Sequence, residues 1–245
     1  MTNDRRLIKT LTQMMDSAAA YLERHVDLVN NMNVFPVPDG DTGTNMLNTL
    51  NGIRNRVRDE SCFTLLPNYL NEISQAGLYE GRGNSGIILS QILQGFALEF
   101  TKQKRLTTKS FASCLEKAKE SAYQSVGEPV EGTILTVLSD VSEVANSNIQ
   151  NCDICELFGI ITAASGTSVD KTTELLDKLR EAEVVDSGGY GLEIIMTGMY
   201  IALLNENPLT YPMIIREPGH GGLGIKNIIE HARANEGEYG SCIQF

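Results

Sequence analysis

The sequence predicts an all-α protein, an antiparallel up-and-down bundle or α-barrel of eight helices, and three observations support this fold class. Apolar residues recur at helical spacing through most of residues 4–205, and this period indicates amphipathic helices. The connections between the periodic segments are short, which favours antiparallel neighbours. The run at residues 34–37 is too short for a convincing strand and contains Pro36, and proline is disfavoured inside sheets.

The eight helices follow from the periodic segments in chain order. The first covers residues 4–30, where leucine, isoleucine, methionine and valine share one face. The fifth ends before Gly127, a usual helix stop, and the seventh is expected to break near residues 166–168. The eighth is apolar on most sides, so we expect it at the centre of the bundle. The helices after the first are predicted at about residues 46–57, 66–78, 85–102, 109–126, 132–146, 153–182 and 189–205.

The composition changes after the eighth helix. Residues 206–224 hold three prolines and a Gly-His-Gly-Gly run, a pattern typical of a linker. A short helical pattern at 225–234 and a strand-like ending follow. We therefore expect one domain at residues 1–205, a linker at 206–224, and the start of a second, truncated domain at 225–245.

Charge and hydropathy exclude two broad classes. The formal net charge of −11 over 245 residues argues against nucleic-acid binding, which normally needs a basic face. No apolar stretch approaches the length of a membrane span, and the first residues lack the apolar region of a secretory signal. We expect a cytoplasmic protein without transmembrane segments.

The stretch at residues 33–46 carries the strongest functional signal. Asp39 and Asp41 flank Gly40 immediately before a helical pattern, and glycine lets a tight loop bring both carboxylates to one point. Two like charges that close need a cation between them, and a helix N-terminus suits a phosphate. This combination predicts a magnesium–nucleotide site. The plainer alternative, an acidic turn with an aspartate N-cap, accounts for one aspartate and one glycine but not for the whole run.

Three further glycine loops precede helices in the same way. In an up-and-down bundle the second, fourth, sixth and eighth helices begin at one end, so all four loops are expected at one rim. Each loop alone is weak evidence for a nucleotide site. Residues 81–86 match G-x-G-x-x-G, but no strand precedes them, so a Rossmann dinucleotide site is not indicated. Together they favour a nucleotide phosphate site. The three further loops are residues 81–86, 131–133 and 185–189.

Arg82 is a cation inside the second loop. One interpretation is that its positive charge stabilises the negative charge that develops on a phosphate during transfer. The other is an ordinary solvated arginine, and the sequence leaves both interpretations open. None of these four glycine loops contains a histidine, so the sequence does not predict a Ser-His-Asp catalytic triad.

Four motifs resemble the N-terminal kinase domain of bacterial fatty acid kinase, which is related to the nucleotide-binding L subunit of dihydroxyacetone kinase. The resemblance implies an eight-helix antiparallel α-barrel with Mg–ATP at one rim. It makes residues 1–205 the ATP-binding kinase domain and the end of the chain the start of a middle domain. The motifs are NVFPVPDGDTGTNM at 33–46, GRGNSGIILSQ at 81–91, PVEGT at 129–133 and VVDSGG at 184–189.

The resemblance also implies site residues. Asp39 and Asp41 would bind the metal and, with Arg82, form the catalytic set. Asn33 stands near the place where dihydroxyacetone kinases have a third aspartate, with a different spacing, and is the third metal-ligand candidate. The implied nucleotide-binding residues are Thr42, Thr44, Asn45, Met46, Gly83, Asn84, Ser85, Gly86, Thr133, Asp186 and Gly188.

The implied activity is transfer of the γ-phosphoryl group of ATP, with Mg²⁺, to a fatty-acid carboxylate in phospholipid metabolism. The product would be an acyl phosphate, and a separate DegV-type protein would present the fatty acid. A carboxylate is already ionised at neutral pH, so no general base is required. Two alternatives stay open: a dihydroxyacetone-kinase-type subunit that phosphorylates a hydroxyl, and a regulatory module that binds ADP or ATP without turnover. A homodimer formed through a downstream region is also left open.

Overall fold

The computed structural model describes residues 2–103, 105–150 and 152–216, and within them all regular structure is helical. The all-α prediction is confirmed. A 3-10 turn, Glu60–Cys62, lies between the third and fourth helices. The α-helices are α1 Asn3–Glu23, α2 Val26–Asn31, α3 Thr42–Val57, α4 Leu66–Glu80, α5 Gly83–Phe100, α6 Thr108–Gln124, α7 Ile134–Asn148, α8 Ile154–Leu175, α9 Asp177–Ala182 and α10 Ser187–Leu203.

Counted with α1 and α2 as one segment and α8 and α9 as another, these helices form the eight predicted antiparallel segments, here called legs. Two of the legs differ from the prediction. The first divides into α1 and α2 at His25, which leaves helical geometry (φ −110°, ψ 0°). The seventh was expected to break at residues 166–168, and this is wrong, because α8 continues to Leu175. The small residues there serve packing: Ser168 Oγ donates to an Asp140 carboxylate oxygen on α7 at 2.6 Å. The break falls at Leu176, before the short α9.

Consecutive legs pack side by side, and α1 closes the arrangement against α10. Helix α10 also contacts α2, α3, α7 and α8, and nearly all of its side chains are buried. Its predicted central position is therefore confirmed. Although α10 is apolar on most sides, no helix in the described part of the chain is both long and apolar enough to cross a membrane.

The described part of the predicted linker packs against the bundle. Tyr211 and Ile214 are 2% and 0% exposed. Tyr21 on α1 donates its hydroxyl to the carbonyl of Pro212 at 2.6 Å. The rest of the predicted linker and the predicted second domain lie outside the described residues. The boundary at residue 205 stays a prediction, and of the residues just after it Tyr211, Ile214 and Arg216 are buried.

Candidate functional site

A cavity of about 550 Å³ opens where α3, α5, α7 and α10 begin. Its volume lies within the usual range for small-molecule sites. The parity of the helices predicted this meeting of four starts, and the structure confirms it. The predicted site residues that line the cavity are Asn33, Asp39, Asp41, Thr42, Asn45, Gly83, Asn84, Ser85, Thr133, Asp186 and Gly188.

The two aspartates of the first loop are held differently. Asn33 is buried, and its amide nitrogen donates to Asp39 Oδ1 at 2.6 Å. Asn33 therefore orients Asp39 as a hydrogen-bond donor, and its role as a third metal ligand stays a prediction. Asp41 occupies the N-cap position of α3 but makes no capping hydrogen bond. The alternative of a simple aspartate cap does not describe this loop.

The cap of α3 is supplied by Asn30, which no local sequence pattern marks. Its Oδ1 accepts from the backbone N–H groups of Gly43 at 2.8 Å and Thr44 at 3.3 Å. Its amide also donates to the Thr44 hydroxyl at 3.0 Å. The N–H groups of Gly43 and Thr44 in the first turn of α3 are thus already paired, and Thr44 lies outside the cavity lining. Met46 also lies outside it, because its side chain is fully buried in the core.

The start of α5 is the helix end best suited to an anion. Arg82 is the N-cap residue and gives no side-chain cap, so no side chain covers the first-turn N–H groups of Gly83, Asn84 and Ser85, which line the cavity. Such groups, with the helix dipole, favour phosphate. Gly83 has φ +58°, and a Cβ there would collide with the amide of Asn45, so this position requires glycine.

Arg82 and Gly86 belong to the same loop but do not line the cavity. The guanidinium of Arg82 lies 3.5 Å from Glu80 and donates to the carbonyl of Tyr79 at 3.2 Å. A surface pair of this kind contributes little stability. Gly86 is buried, and a Cβ there would collide with Thr49. The catalytic role of Arg82 stays a prediction.

Asp186 joins the starts of α7 and α10. It is 4% exposed, and its Oδ2 accepts the N–H of Gly189 at 2.7 Å. Burial raises the pKa of Asp186 to about 6, while hydrogen bonds from the backbone of Gly189 and Ile134 act in the opposite direction. Next to it, the hydroxyls of Ser187 and Thr42 lie 3.1 Å apart and connect α10 to α3.

The donor set fits a magnesium ion that arrives with a phosphate. In the described part of the chain, no cluster of three or more His, Cys, Asp or Glu side chains could hold a metal. Mg²⁺ typically takes one or two carboxylates and completes its shell with phosphates and water, which Asp39 and Asp41 allow. No Lys, Arg or His is among the described residues that line the cavity, so a polyphosphate needs a bound cation to offset its charge there.

Comparison with known proteins gives a family and a fold. The model of the DAK2 domain matches residues 36–201. An uncharacterised protein of Staphylococcus saprophyticus is 39% identical over 203 residues, and one of Staphylococcus epidermidis is 38% identical over 200 residues. Each match covers 81% of this chain, which spans only 36% of the relative's length.

One solved structure is similar across most of the chain. It is the dihydroxyacetone kinase from C. freundii in complex with AMP-PNP and Mg²⁺, with a TM-score of 0.56 and 15% identity. The match covers 77% of this chain and 33% of that one. At this identity the likeness establishes the all-helical fold alone.

Proposed function

The chain belongs to the DAK2 domain family, and on that premise we propose that its cavity binds Mg–ATP and transfers the γ-phosphoryl group. The observation that carries the proposal is one cavity that holds both a carboxylate pair and the uncapped start of an 18-residue helix. Asp39 and Asp41 suit the metal, and the N–H groups of Gly83, Asn84 and Ser85 suit the phosphates. Each feature alone is common, but their convergence on one cavity favours a nucleotide.

The lining also gives the nucleotide a direction. Asp39, Asp41 and Asp186 lie with the α3 and α10 starts, whereas the lining between α5 and the loop before α7 holds the apolar Ile88, Val126 and Val130 and one carboxylate, Glu128. We assign the base and sugar to this part of the lining. The triphosphate then extends across the α5 start towards Asp39 and Asp41.

Catalysis by this chain rests on positioning and charge. When bound, Mg²⁺ supplies positive charge that offsets the charge of the phosphates. Asn33 keeps Asp39 oriented, and Asn30 occupies the α3 cap so that Asp41 stays available. The N–H groups of α5 hold the phosphates in place before transfer. Phosphoryl transfer needs little more from a protein than such positioning and electrostatic stabilisation.

We propose further that the acceptor is a fatty-acid carboxylate presented by a separate DegV-type protein, giving an acyl phosphate. The support is the resemblance of the four motifs to fatty acid kinase. The chemistry agrees, because an ionised carboxylate needs no general base, and no histidine is among the described residues that line the cavity. A hydroxyl acceptor, as in a dihydroxyacetone kinase, and a non-catalytic nucleotide sensor are the competing functions.

The test measures acyl phosphate, trapped with hydroxylamine, from the full chain with Mg–ATP and fatty acid. Its arms are the chain alone, the chain with a loaded DegV-type carrier, and a chain of the relatives' full length with that carrier. We expect transfer to need the carrier and to fall about 100-fold or more in Asp39→Ala and Asp41→Ala, because losing a metal ligand removes several kcal/mol of charge stabilisation. Glu143→Ala is the matched control, since it removes an exposed carboxylate on α7 outside the cavity.

Three outcomes contradict parts of this proposal. Near-normal transfer in both aspartate variants refutes the metal assignment. Transfer to dihydroxyacetone, and not to fatty acid, supports the hydroxyl-kinase alternative. Nucleotide binding without transfer in any arm, including the longest chain, supports the sensor.

A further inference from the structure

The chain does not leave the bundle at the end of α10. It turns at Asn205, which has φ +57°, and residues 207–216, here called the strap, return along α1 and α10. The strap reaches Arg24 at the end of α1, whose guanidinium donates to the Tyr211 carbonyl at 2.9 Å. It ends at Arg216, which is 3% exposed. The strap therefore approaches the end of the bundle where the cavity lies.

On one side the strap holds the first turn of α10. The Tyr190 hydroxyl donates to the carbonyl of Ile214 at 2.6 Å in a buried setting. The Arg216 guanidinium lies over the Tyr190 ring at 5.2 Å and pairs with Glu193 on the same helix. Tyr190 follows Gly188, which lines the cavity, by two residues. The backbone N–H of Tyr190 donates to the Asp186 carbonyl at 2.9 Å.

On the other side the strap holds the junction that leads into α2. The N–H of Ile214 donates to His25 Nε2 at 3.2 Å. Burial lowers the pKa of His25 to about 4, so the neutral ring accepts at Nε2 and donates from Nδ1 to the Tyr21 carbonyl at 2.7 Å. His25 is the N-cap residue of α2, and α2 carries Asn30, which caps α3 at the cavity.

We infer that the strap is a positioning element of the nucleotide cavity, an inference that rests on the proposed nucleotide binding. Ile214 links the two sides directly: its N–H holds the α2 junction and its carbonyl holds α10. The α2 junction leads to Asn30, which caps α3, and the start of α10 adjoins Asp186, which lines the cavity. Tyr190 is then a positioning residue that touches no ligand and acts through the start of α10.

The same geometry requires a reciprocal effect. If docking of the strap strengthens nucleotide binding, nucleotide binding must stabilise the docked strap by the same free energy. Amide hydrogen exchange across residues 205–216 should therefore slow when Mg–ADP binds. Exchange in α4, which does not line the cavity, should change little.

The mutational test uses the full chain and a matched pair of variants. Tyr190→Phe removes the hydroxyl that bonds to the strap. Tyr69→Phe removes an equally buried hydroxyl, which pairs with Thr12 Oγ1 at 2.9 Å, far from the strap in the fold. Each variant keeps its ring and loses a buried hydroxyl, which bonds to the Ile214 carbonyl in Tyr190 and to Thr12 Oγ1 and, more weakly, Met15 Sδ in Tyr69, so similar losses in Tm are expected. We expect Tyr190→Phe alone to weaken Mg–ADP binding, by about threefold to tenfold, the range of one hydrogen bond.

The outcomes separate this inference from the proposed function. If the wild-type chain binds Mg–ADP and the two variants bind it equally well, the strap stabilises the fold without positioning the cavity, and the inference is overturned. Unchanged exchange in residues 205–216 on saturation with Mg–ADP overturns it without any variant. Failure of the wild-type chain to bind nucleotide refutes the proposed function and the inference with it.

Discussion

Asp186→Asn tests whether the buried carboxylate at the joined starts of α7 and α10 is kept for function at a cost in stability. Asparagine has nearly the same shape, and its Oδ1 still accepts the N–H of Gly189. The variant removes the charge and leaves one acceptor oxygen, where the carboxylate has two, for the backbone N–H groups of Gly189 and Ile134. Asp186 is 4% exposed, so its ionised form is poorly solvated.

The expected magnitude follows from the pKa of Asp186, which burial raises from 3.8 to about 6. About two pKa units at about 1.4 kcal/mol each give about 3 kcal/mol. Between these two pKa values the folded chain binds more protons than the unfolded chain. Stability therefore falls as pH rises from about 4 to about 6, and this contribution stays lost at higher pH. The asparagine variant lacks this pH-dependent loss.

The assay is urea denaturation of both chains at a series of pH values from 4 to 8. We expect the variant to gain up to about 3 kcal/mol relative to wild type as pH rises through this window. His25 and Glu193 also titrate abnormally, but both chains share them, so their effects largely cancel in the difference. Parallel pH profiles would refute the reasoning. We also expect the variant to bind Mg–ADP more weakly, since sites commonly retain groups that reduce stability.

Two further substitutions test the site and its support. Gly83→Ala places a Cβ against Asn45 at a residue with φ +58°, so we expect a loss of about 1–3 kcal/mol in stability and weaker nucleotide binding by calorimetry. Gly127→Ala, where a Cβ meets nothing within 4 Å, is the matched control for stability, and equal stability losses in the two variants would contradict the steric account. Arg216→Met leaves Glu193, 1% exposed, without its partner, and should cost about 3–5 kcal/mol in urea denaturation. Adding Glu193→Leu should recover part of that loss, and a cost below about 1 kcal/mol would contradict the buried pairing.

Much of the fold and the position of the cavity could be predicted because both depend on local signals. Helical periodicity predicted the eight legs. Because successive helices in an up-and-down bundle run in opposite directions, the four glycine loops were then expected at one end of the bundle. Asp39, Asp41 and Gly83 could be named from the sequence because paired carboxylates suit a cation, and a glycine at a helix start lets the backbone approach an anion closely.

The remaining features depend on contacts between residues far apart in the chain. Asn30 caps α3 from 13 positions before Gly43, and no local pattern marks that pairing. Gly166 looked like a helix break because its propensity is low, but its carbonyl accepts from Arg216 at 3.1 Å within the core. The contacts of Pro208 and Pro212 could not be predicted, because composition does not reveal that their carbonyls accept hydrogen bonds from Arg24 and Tyr21.

The central claim is that Asp39, Asp41 and the α5 start together hold a metal–nucleotide. A crystal structure of the chain with a non-hydrolysable ATP analogue and Mn²⁺ tests it most directly, because anomalous scattering locates the metal. The predicted result is a metal about 2.1 Å from carboxylate oxygens of Asp39 and Asp41, with phosphate oxygens about 2.9 Å from N–H groups of Gly83–Ser85. A metal bound elsewhere, or phosphates seated only at the α7 or α10 start, would contradict the claim.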